Sequence, residues 1–323
     1  MASVVSVLSK TPNLLKELIR ALPSVTFHEV QDPEHDAQFK RSEILVCDFD
    51  LVGNYLYDLP NTKWMQGTWA GVDKLMPLIQ NKPLPYQITR FTGDHFGRIM
   101  GEYVVAHIVN HERNLCELRD YQRKTLWHKE GKVNDYRIIS DLTVGILGVG
   151  NIGSKIGKIL HMLGATIFAL GRRPALPPGD GYSHVSSYHT KETLPSLLKE
   201  CDYIVSVLPS TRETDGLLDN DVLKNCADKG SVLINIGRSN ILSEDSLIKA
   251  IKNRWLSGAV LDVFDVEPLP ECSPLWSIKE ITITPHVAGM SRARDIAEQF
   301  CTNYNMYIKQ QSLPAVVDIT KGY

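Results

Sequence analysis

Three short segments near the end of the chain carry an arginine, a glutamate and a histidine, each directly after an apolar run. NIGRS contains Arg238, DVFDVEPLP contains Glu267 and TPHVAGMS contains His286. The apolar runs read as strands, and open α/β sheets place their ligands at the carboxyl ends of parallel strands. A guanidinium, a carboxylate and an imidazole that meet there could bind an anion and move a proton. We therefore interpret Arg238, Glu267 and His286 as candidate catalytic residues, with loop or surface positions as the alternative.

A glycine-rich turn precedes these segments. Gly148, Gly150 and Gly153 form G-x-G-x-x-G between the run TVGIL and a helical pattern, with Asn151 and Ile152 inside the turn. The first glycine permits a tight turn, the second lets the backbone approach a pyrophosphate, and the third lets the helix pack on the strand. The N–H groups of the helix N-terminus attract phosphate. The pattern predicts a dinucleotide site formed by these five residues, with a turn that binds no ligand as the alternative.

Two arginines stand where a dinucleotide-binding protein is expected to carry an acid. Arg172 and Arg173 follow the next apolar run, TIFAL, and Gly171. An Asp or Glu at this place would bond the ribose of NAD, whereas guanidinium groups can bind a 2′-phosphate with paired hydrogen bonds. The arginine pair predicts NADP(H), with NAD(H) as a second possibility and a solvated basic turn as the alternative.

The composition excludes several other classes of protein. A chain of 323 residues with 43% hydrophobic and 22% charged residues is typical of about two globular domains. Its net charge of −2 gives no electrostatic reason to expect a nucleic acid or a membrane as partner. None of the six cysteines forms a C-x-x-C pair, so we expect no metal, no disulfide framework and a cytoplasmic location.

Strand-like and helix-like patterns alternate along most of the chain. Many of the strand-like runs are apolar without strict alternation, which is typical of parallel strands that are buried on both faces. We expect an α/β fold with two βα series and long helical segments at 93–120 and 291–310. The expected strands are residues 3–8, 25–30 and 43–49 in the first series, and residues 142–148, 166–170, 203–208, 231–236, 258–264 and 281–284 in the second.

Four of these motifs together resemble those of the D-2-hydroxyacid dehydrogenase family. GVGNIG, NIGRS, DVFDVEPLP and TPHVAG match it in order and spacing, and the resemblance covers essentially the whole chain. The arginine pair and the stretch RFTGDHFGRIMGEYVVAHI are most similar to the glyoxylate/hydroxypyruvate reductases that use NADPH. The resemblance implies two doubly wound parallel-sheet domains. A Rossmann cofactor domain (99–287) would be inserted into a flavodoxin-like substrate domain (1–98 plus 288–323). It also implies a homodimer formed through the cofactor domains.

The resemblance implies a role for each candidate residue in hydride transfer between nicotinamide C4 and C2 of a 2-keto acid or 2-hydroxy acid. His286 would exchange the proton with the carbonyl oxygen, Glu267 would orient the imidazole, and Arg238 would hold the substrate carboxylate. Ala70 and Gly71 in GTWAGVDKL would offer backbone N–H groups to the same carboxylate. Further implied cofactor contacts are Leu208, Pro209, Thr214, Ile236, Asp262 and Gly289.

Some assignments stay open at the level of sequence. Asp262 would face the nicotinamide carboxamide, or it would cap the end of a strand. Trp64, Trp69 and Trp127 could narrow the substrate pocket, or they could belong to the core. Ser239 departs from the glycine that is common in the family. The expected function is NADPH-dependent reduction of glyoxylate or hydroxypyruvate. The alternatives are a dehydrogenase that uses NAD and another 2-hydroxy acid, or a corepressor-like protein that senses the dinucleotide.

Overall fold

The computed structural model describes residues 4–80 and 82–322, apart from the side chain of Asp180. Residue 3, with which the first expected strand begins, lies outside this range. Two sheets are present in the described residues, and every pairing between their strands is parallel. The described residues divide into two compact units, one comprising those up to Phe96 and from Met290 onward, and the other comprising Gly97–Gly289.

The first sheet has the flavodoxin-like strand order. Its strands run β2-β1-β3-β4-β5, so that the order reverses beside β1. Residues of β3 are fully buried, as its continuous apolar sequence predicts. The strands are β1 (Val5–Leu8), β2 (Phe27–Glu29), β3 (Ile44–Cys47), β4 (Trp64–Gly67) and β5 (Gln87–Thr89), and the helices between them are α1 (Leu14–Ala21), α2 (Ala37–Arg41) and α3 (Phe49–Val52).

The second sheet has the doubly wound order of a dinucleotide-binding domain. Its strands run β12-β11-β10-β9-β6-β7-β8, so the order reverses between β6 and β9, where such sheets bind their ligands. Two helices, α4 (Asp94–Arg113) and α5 (Leu115–Arg123), precede the sheet. Its strands are β6 (Thr143–Leu147), β7 (Thr166–Leu170), β8 (Ser187–His189), β9 (Tyr203–Ser206), β10 (Ser231–Asn235), β11 (Leu256–Leu261) and β12 (Ile281–Ile283). The remaining helices are α6 (Asn151–Met162), α7 (Leu194–Glu200), α8 (Glu244–Lys252) and α9 (Ala293–Ile308).

The expected α/β class with two doubly wound parallel sheets is confirmed. Residues of β9 and β10 are buried throughout, because helices on both faces cover the middle of a parallel sheet. The edge strand β12 is less buried. The assignment of substrate and cofactor roles to the two units stays a prediction.

Several expected elements differ from the observed ones. The helical segment predicted at 93–120 is two helices, because Asn114 adopts the left-handed conformation with φ 51°. The strand predicted at 258–264 is β11, which begins at Leu256 and ends at Leu261, so that Asp262 directly follows it. Three strands of three or four residues, β4, β5 and β8, were missed because so few residues show no clear period.

Candidate active site

Two of the three glycines in the turn after β6 are required by the backbone itself. Gly148 has φ 100°, a conformation that side chains with a Cβ rarely adopt. A Cβ at Gly153 would lie 1.9 Å from the carbonyl oxygen of Gly148, because α6 starts almost in contact with the end of β6. The turn therefore brings the N-terminus of α6 to the carboxyl edge of the second sheet.

Gly150 has a different reason to be glycine. It is the N-cap of α6 with φ −71°, and a Cβ built on it would have no described protein atom within 4 Å. Neither the backbone conformation nor the packing explains this glycine. Open space beside a helix N-terminus is what a pyrophosphate needs to approach the backbone closely. The turn, with Asn151 and Ile152 as the first two residues of α6, thus fits a dinucleotide.

Arg172 and Arg173 lie at the carboxyl end of β7, the strand that pairs with β6. Both residues are exposed. The Tyr188 hydroxyl donates a 2.8 Å hydrogen bond to the carbonyl oxygen of Arg173 and so fixes the turn. The Nη1 atom of Arg172 is 3.9 Å from Glu213 Oε2, a weak contact between two exposed groups. The arginines are therefore positioned at the same sheet edge as the glycine turn, with exposed guanidinium groups.

Glu267 and His286 are brought into direct contact. The Nδ1 atom of His286 is 2.8 Å from Oε2 of Glu267, and Oε1 of Glu267 accepts a 3.0 Å bond from the backbone N–H of Phe264. A carboxylate only accepts hydrogen bonds, so the imidazole carries a proton on Nδ1. Among the described residues no group bonds Nε2, and the imidazole is about half exposed. The ring can therefore exchange a proton through Nε2 with a molecule in front of it.

The loop that carries His286 is held by Asp262. This buried carboxylate accepts bonds from the backbone N–H groups of Val287 and Ala288, each 2.9 Å long, and from the hydroxyl of Thr284 at 2.5 Å. His286 itself has φ 55°, a left-handed conformation that a non-glycine residue adopts only when its surroundings impose it. Asp262 directly follows β11, and its carboxylate holds the loop after β12 that carries His286. A contact with the nicotinamide stays a prediction.

Arg238 follows β10, the strand next to β11, and is half-buried. It precedes a short 3₁₀ turn, and its Nη1 atom donates a 2.7 Å bond to the carbonyl oxygen of Gly237. A Cβ at Gly237 would meet the backbone oxygen of Leu208 at 2.7 Å, so only glycine lets the two strand ends approach this closely. Arg238 therefore shares its sheet edge with Glu267, which follows the neighbouring strand β11, and with His286, which follows β12.

The other expected cofactor contacts also follow strands of this sheet. Leu208 and Ile236 are buried, and the N–H of Ile236 extends the pairing between β10 and β9. The Thr214 hydroxyl donates a 2.7 Å bond to the carbonyl oxygen of Pro209 and closes the loop after β9. Gly289 is half-buried at the end of the His286 loop. Their contact with a cofactor stays a prediction.

Ala70 and Gly71 lie in the other unit, in the loop after β4. Both are half-buried, and the carbonyl oxygen of Ala70 accepts a 3.1 Å bond from Arg90 Nη1. The buried carboxylate of Asp48 accepts a 2.5 Å bond from the Thr68 hydroxyl and so fixes the start of this loop. Sequence reasoning missed Asp48, because the strand expected at 43–49 includes this residue, whereas β3 ends at Cys47. The first residues of the loop are thus anchored by two hydrogen bonds.

The tryptophans differ in their positions. Trp64 is fully buried and stacks on Phe300 with ring centroids 5.2 Å apart, so the idea that it narrows a substrate pocket is wrong. Trp69 packs against the same unit's core. Trp127 is 91% exposed.

One cluster of the first unit has metal-ligand residue types. His95, Asp295 and Glu298 place one ligand atom each within 4.8 Å of one another. Arg292 bonds Asp295, and Arg294 bonds Glu298. The arginines balance the charges of the carboxylates, and we assign no metal to the cluster.

Of the helices in residues 4–80 and 82–322, none combines the length and the apolar character that crossing a membrane requires.

Comparison with known proteins identifies the class. Residues 105–288 match the family model of the D-isomer specific 2-hydroxyacid dehydrogenase NAD-binding domain. A family member from Aeromonas salmonicida is 29% identical, with a TM-score of 0.81 over 99% of this chain and 100% of its own. A D-isomer specific 2-hydroxyacid dehydrogenase from Xanthobacter autotrophicus, solved with NADPH and MES, is 26% identical, with a TM-score of 0.85 over 100% of both chains. The NADPH-dependent glyoxylate/hydroxypyruvate reductase of Sinorhizobium meliloti shares the fold at 24% identity, with a TM-score of 0.81 over 99% of this chain and 100% of its own.

The chain belongs to the D-isomer specific 2-hydroxyacid dehydrogenase family. It is an oxidoreductase that uses a nicotinamide dinucleotide, and the resemblance stated from its motifs is confirmed. The family assignment favours an enzyme over a dinucleotide-sensing corepressor.

Proposed function

We propose that the protein reduces a small 2-keto acid, glyoxylate or hydroxypyruvate, to the 2-hydroxy acid with NADPH. The observation that carries the proposal is the 2.8 Å contact between Glu267 and His286 at the sheet edge that also bears the glycine turn. When bound, NADPH would supply the hydride to C2 of the keto acid. The protein must then supply one proton to the carbonyl oxygen and a binding site for the carboxylate.

His286 is the proton donor in this proposal. Its protonated ring would give the Nε2 proton to the carbonyl oxygen, and the ring would be left neutral. Glu267 keeps the ring oriented through Nδ1 and stabilises its positive charge before the transfer. In the reverse direction the neutral ring takes the hydroxyl proton from the 2-hydroxy acid.

Arg238 binds the substrate carboxylate and polarises the carbonyl. Its place at the end of β10, beside β11, supports this role, because both strands end at the edge that carries the acid–base pair. A bound carboxylate fixes C2 relative to the other reacting groups, which is worth a large part of the rate. A contribution of the backbone N–H groups of Ala70 and Gly71 to carboxylate binding stays what the family resemblance implies.

The arginines after β7 select NADPH. Arg172 and Arg173 bind the 2′-phosphate with charge-assisted hydrogen bonds, and their exposure leaves room for it. The relative from Xanthobacter autotrophicus was solved with NADPH, which supports the same preference here. Leu208, Ile236 and the glycine turn line the remaining path of the dinucleotide.

The choice of a small keto acid rests on the resemblance of residues 90–108 and of the arginine pair to the glyoxylate/hydroxypyruvate reductases. The initial rates of a panel of 2-keto acids, each with NADPH and with NADH, test it. We expect the highest kcat/KM for glyoxylate or hydroxypyruvate with NADPH. A higher value for pyruvate or a branched keto acid would contradict the substrate, and no turnover with the whole panel would contradict the reaction.

The second part of the proposal is a homodimer formed through the cofactor unit. The segment after α5 exposes Leu126, Trp127 and Ile138 to solvent. Arg137 anchors this segment, since its guanidinium bonds Glu112 at 2.6 Å and Asp202 at 2.7 Å. Exposed apolar side chains on an anchored segment are typical of an association surface. A second copy of this chain is the partner that the family resemblance implies.

We also propose that the protein is cytoplasmic. All six cysteines are free, and Cys116 and Cys272 are exposed. Thiols of this kind persist in a reducing compartment. Immunoblotting of cell fractions tests the location, and recovery in an organelle or outside the cell would contradict it.

A further inference from the structure

A chain of hydrogen bonds connects the helix α4 with the loop that carries His286. The hydroxyl oxygens of Tyr103 and Thr284 are 2.6 Å apart, although the two residues are separated by 181 positions. Thr284 Oγ1 is in turn 2.5 Å from Asp262 Oδ1. Tyr103, Thr284 and Asp262 all belong to the unit Gly97–Gly289.

The direction of each bond in this chain is fixed by chemistry. The carboxylate of Asp262 can only accept, so Thr284 donates its single hydroxyl proton to it. With that proton committed, the oxygen of Thr284 can only accept in the contact with Tyr103. Tyr103 is therefore the donor. Burial raises the pKa of Tyr103 to about 12, so the phenol keeps this proton at the pH values at which enzymes work.

The Asp262 carboxylate, the last acceptor in this series of hydrogen bonds, also holds the backbone next to His286. Asp262 Oδ1 also accepts from the N–H of Val287, and Oδ2 accepts from the N–H of Ala288. These bonds stabilise the left-handed backbone of His286. A weaker Thr284–Asp262 bond would let the Asp262 carboxylate turn, and the two amides would lose their fixed acceptor.

The aromatic ring of Tyr103 is itself held in place. The His107 ring, one turn further along α4, lies with its centroid 4.3 Å from that of Tyr103. The Tyr103 side chain therefore extends from a helix and packs against a second ring of the same helix. Such support is what a precise site requires from the residues behind it.

We propose that Tyr103 is a positioning residue for the proton donor, acting through Thr284 and Asp262 on the His286 loop. The proposal rests on the proposed function, since it assumes that His286 exchanges the proton. Tyr103 does not contact Glu267 or His286 in the described structure, and its effect is on the orientation of the imidazole.

Two measurements on four variants test this inference. The exchange of the Val287 and Ala288 amides with deuterium reports the loop without any substrate. The values of kcat and of KM for NADPH report the reaction. The variants are Tyr103→Phe, Thr284→Val, Thr284→Ser and, as a control, Tyr86→Phe, which removes a buried hydroxyl bonded to Leu56 in the other unit.

We expect Tyr103→Phe and Thr284→Val to exchange the two amides about fivefold faster and to lower kcat by about five- to tenfold, with KM for NADPH unchanged. Thr284→Ser keeps the hydroxyl and should restore both values, and Tyr86→Phe should behave like the wild type. Amide exchange and kcat of Tyr103→Phe within twofold of the wild type would overturn the inference. A wild type without turnover would contradict the proposed function alone, because the amide exchange would still report on the loop.

Discussion

At the scale of single residues, the two arginines after β7 lead us to predict a preference for NADPH over NADH. Replacement of both, Arg172→Ala with Arg173→Ala, removes the charge-assisted bonds to a 2′-phosphate. We expect kcat/KM for NADPH to fall by about 10- to 100-fold while the value for NADH changes little. Arg41→Ala, at an exposed arginine in the other unit, is the matched control. An equal loss with both cofactors would show that the pair does not recognise the phosphate.

A second prediction at this scale concerns His184. Both of its ring nitrogens are buried without a hydrogen-bond partner among the described residues. Burial, together with the charges of Lys158 and His161, lowers the pKa of His184 to about 4. The unfolded chain therefore takes up this proton first as the pH falls. The folded state therefore loses stability as the pH falls from 6.5 to about 4, because in this range His184 is protonated in the unfolded chain and still neutral in the folded one.

Thermal unfolding at a series of pH values measures this effect. The melting temperature of the wild type should fall more steeply between pH 6.5 and 4 than that of His184→Phe. The exposed His128→Gln serves as the control. Parallel curves for the wild type and His184→Phe would mean that His184 does not contribute to acid sensitivity.

At the scale of elements, two glycines of the turn between β6 and α6 have different roles: Gly153 is required for folding, and Gly150 is predicted to serve cofactor binding. A Cβ at Gly153 would clash with the Gly148 carbonyl, whereas one at Gly150 would enter open space. We expect Gly153→Ala to lower the free energy of unfolding by about 3 kcal/mol. Gly150→Ala should lower it by at most about 1 kcal/mol, because alanine is a poorer N-cap than glycine.

The two variants should rank in the opposite order when the affinity of the folded protein for NADPH is compared: Gly150→Ala should weaken binding more than Gly153→Ala. Gly150→Ala places a methyl group where the pyrophosphate approaches, and we expect the Kd for NADPH to rise at least about tenfold. Denaturant unfolding and fluorescence titration measure the two quantities. Unchanged NADPH affinity in Gly150→Ala would show that the cofactor does not approach this part of the turn.

At the scale of the whole molecule, the proposed dimer depends on the exposed segment after α5. Trp127→Ser removes its most exposed large side chain and should shift the protein from dimer to monomer in light scattering after size exclusion. Met162→Ser, at another highly exposed apolar residue of the same unit, is the control. A wild type that is monomeric at micromolar concentration would contradict the dimer.

The sequence predicted what depends on short-range patterns. The glycine turn and the motifs that carry Arg238, Glu267 and His286 each follow a strand within a few residues, so their place at one sheet edge could be inferred. The α/β class followed from the continuous apolar runs of the buried strands. The break at Asn114 could not be predicted, because the residues on either side favour a helix and one left-handed residue ends it.

Hydrogen bonds between residues far apart in the sequence could not be predicted either. Tyr103 bonds Thr284 across 181 positions, and Asp48 bonds Thr68 across 20. The sequence offered two roles for Asp262, and the bonds from its carboxylate to the His286 loop are visible only in the folded structure. These polar groups hold loops that carry candidate residues, and no local pattern in the sequence reveals their partners.

The role of His286 as proton donor is tested most directly by the kcat/KM of His286→Ala for the best keto acid, with the Kd for NADPH measured in parallel. A positioned proton donor contributes about 10²- to 10⁴-fold, so we expect a loss of that size with an unchanged Kd. A loss of less than about tenfold would contradict this role, because the reaction would then not depend on the imidazole that Glu267 holds.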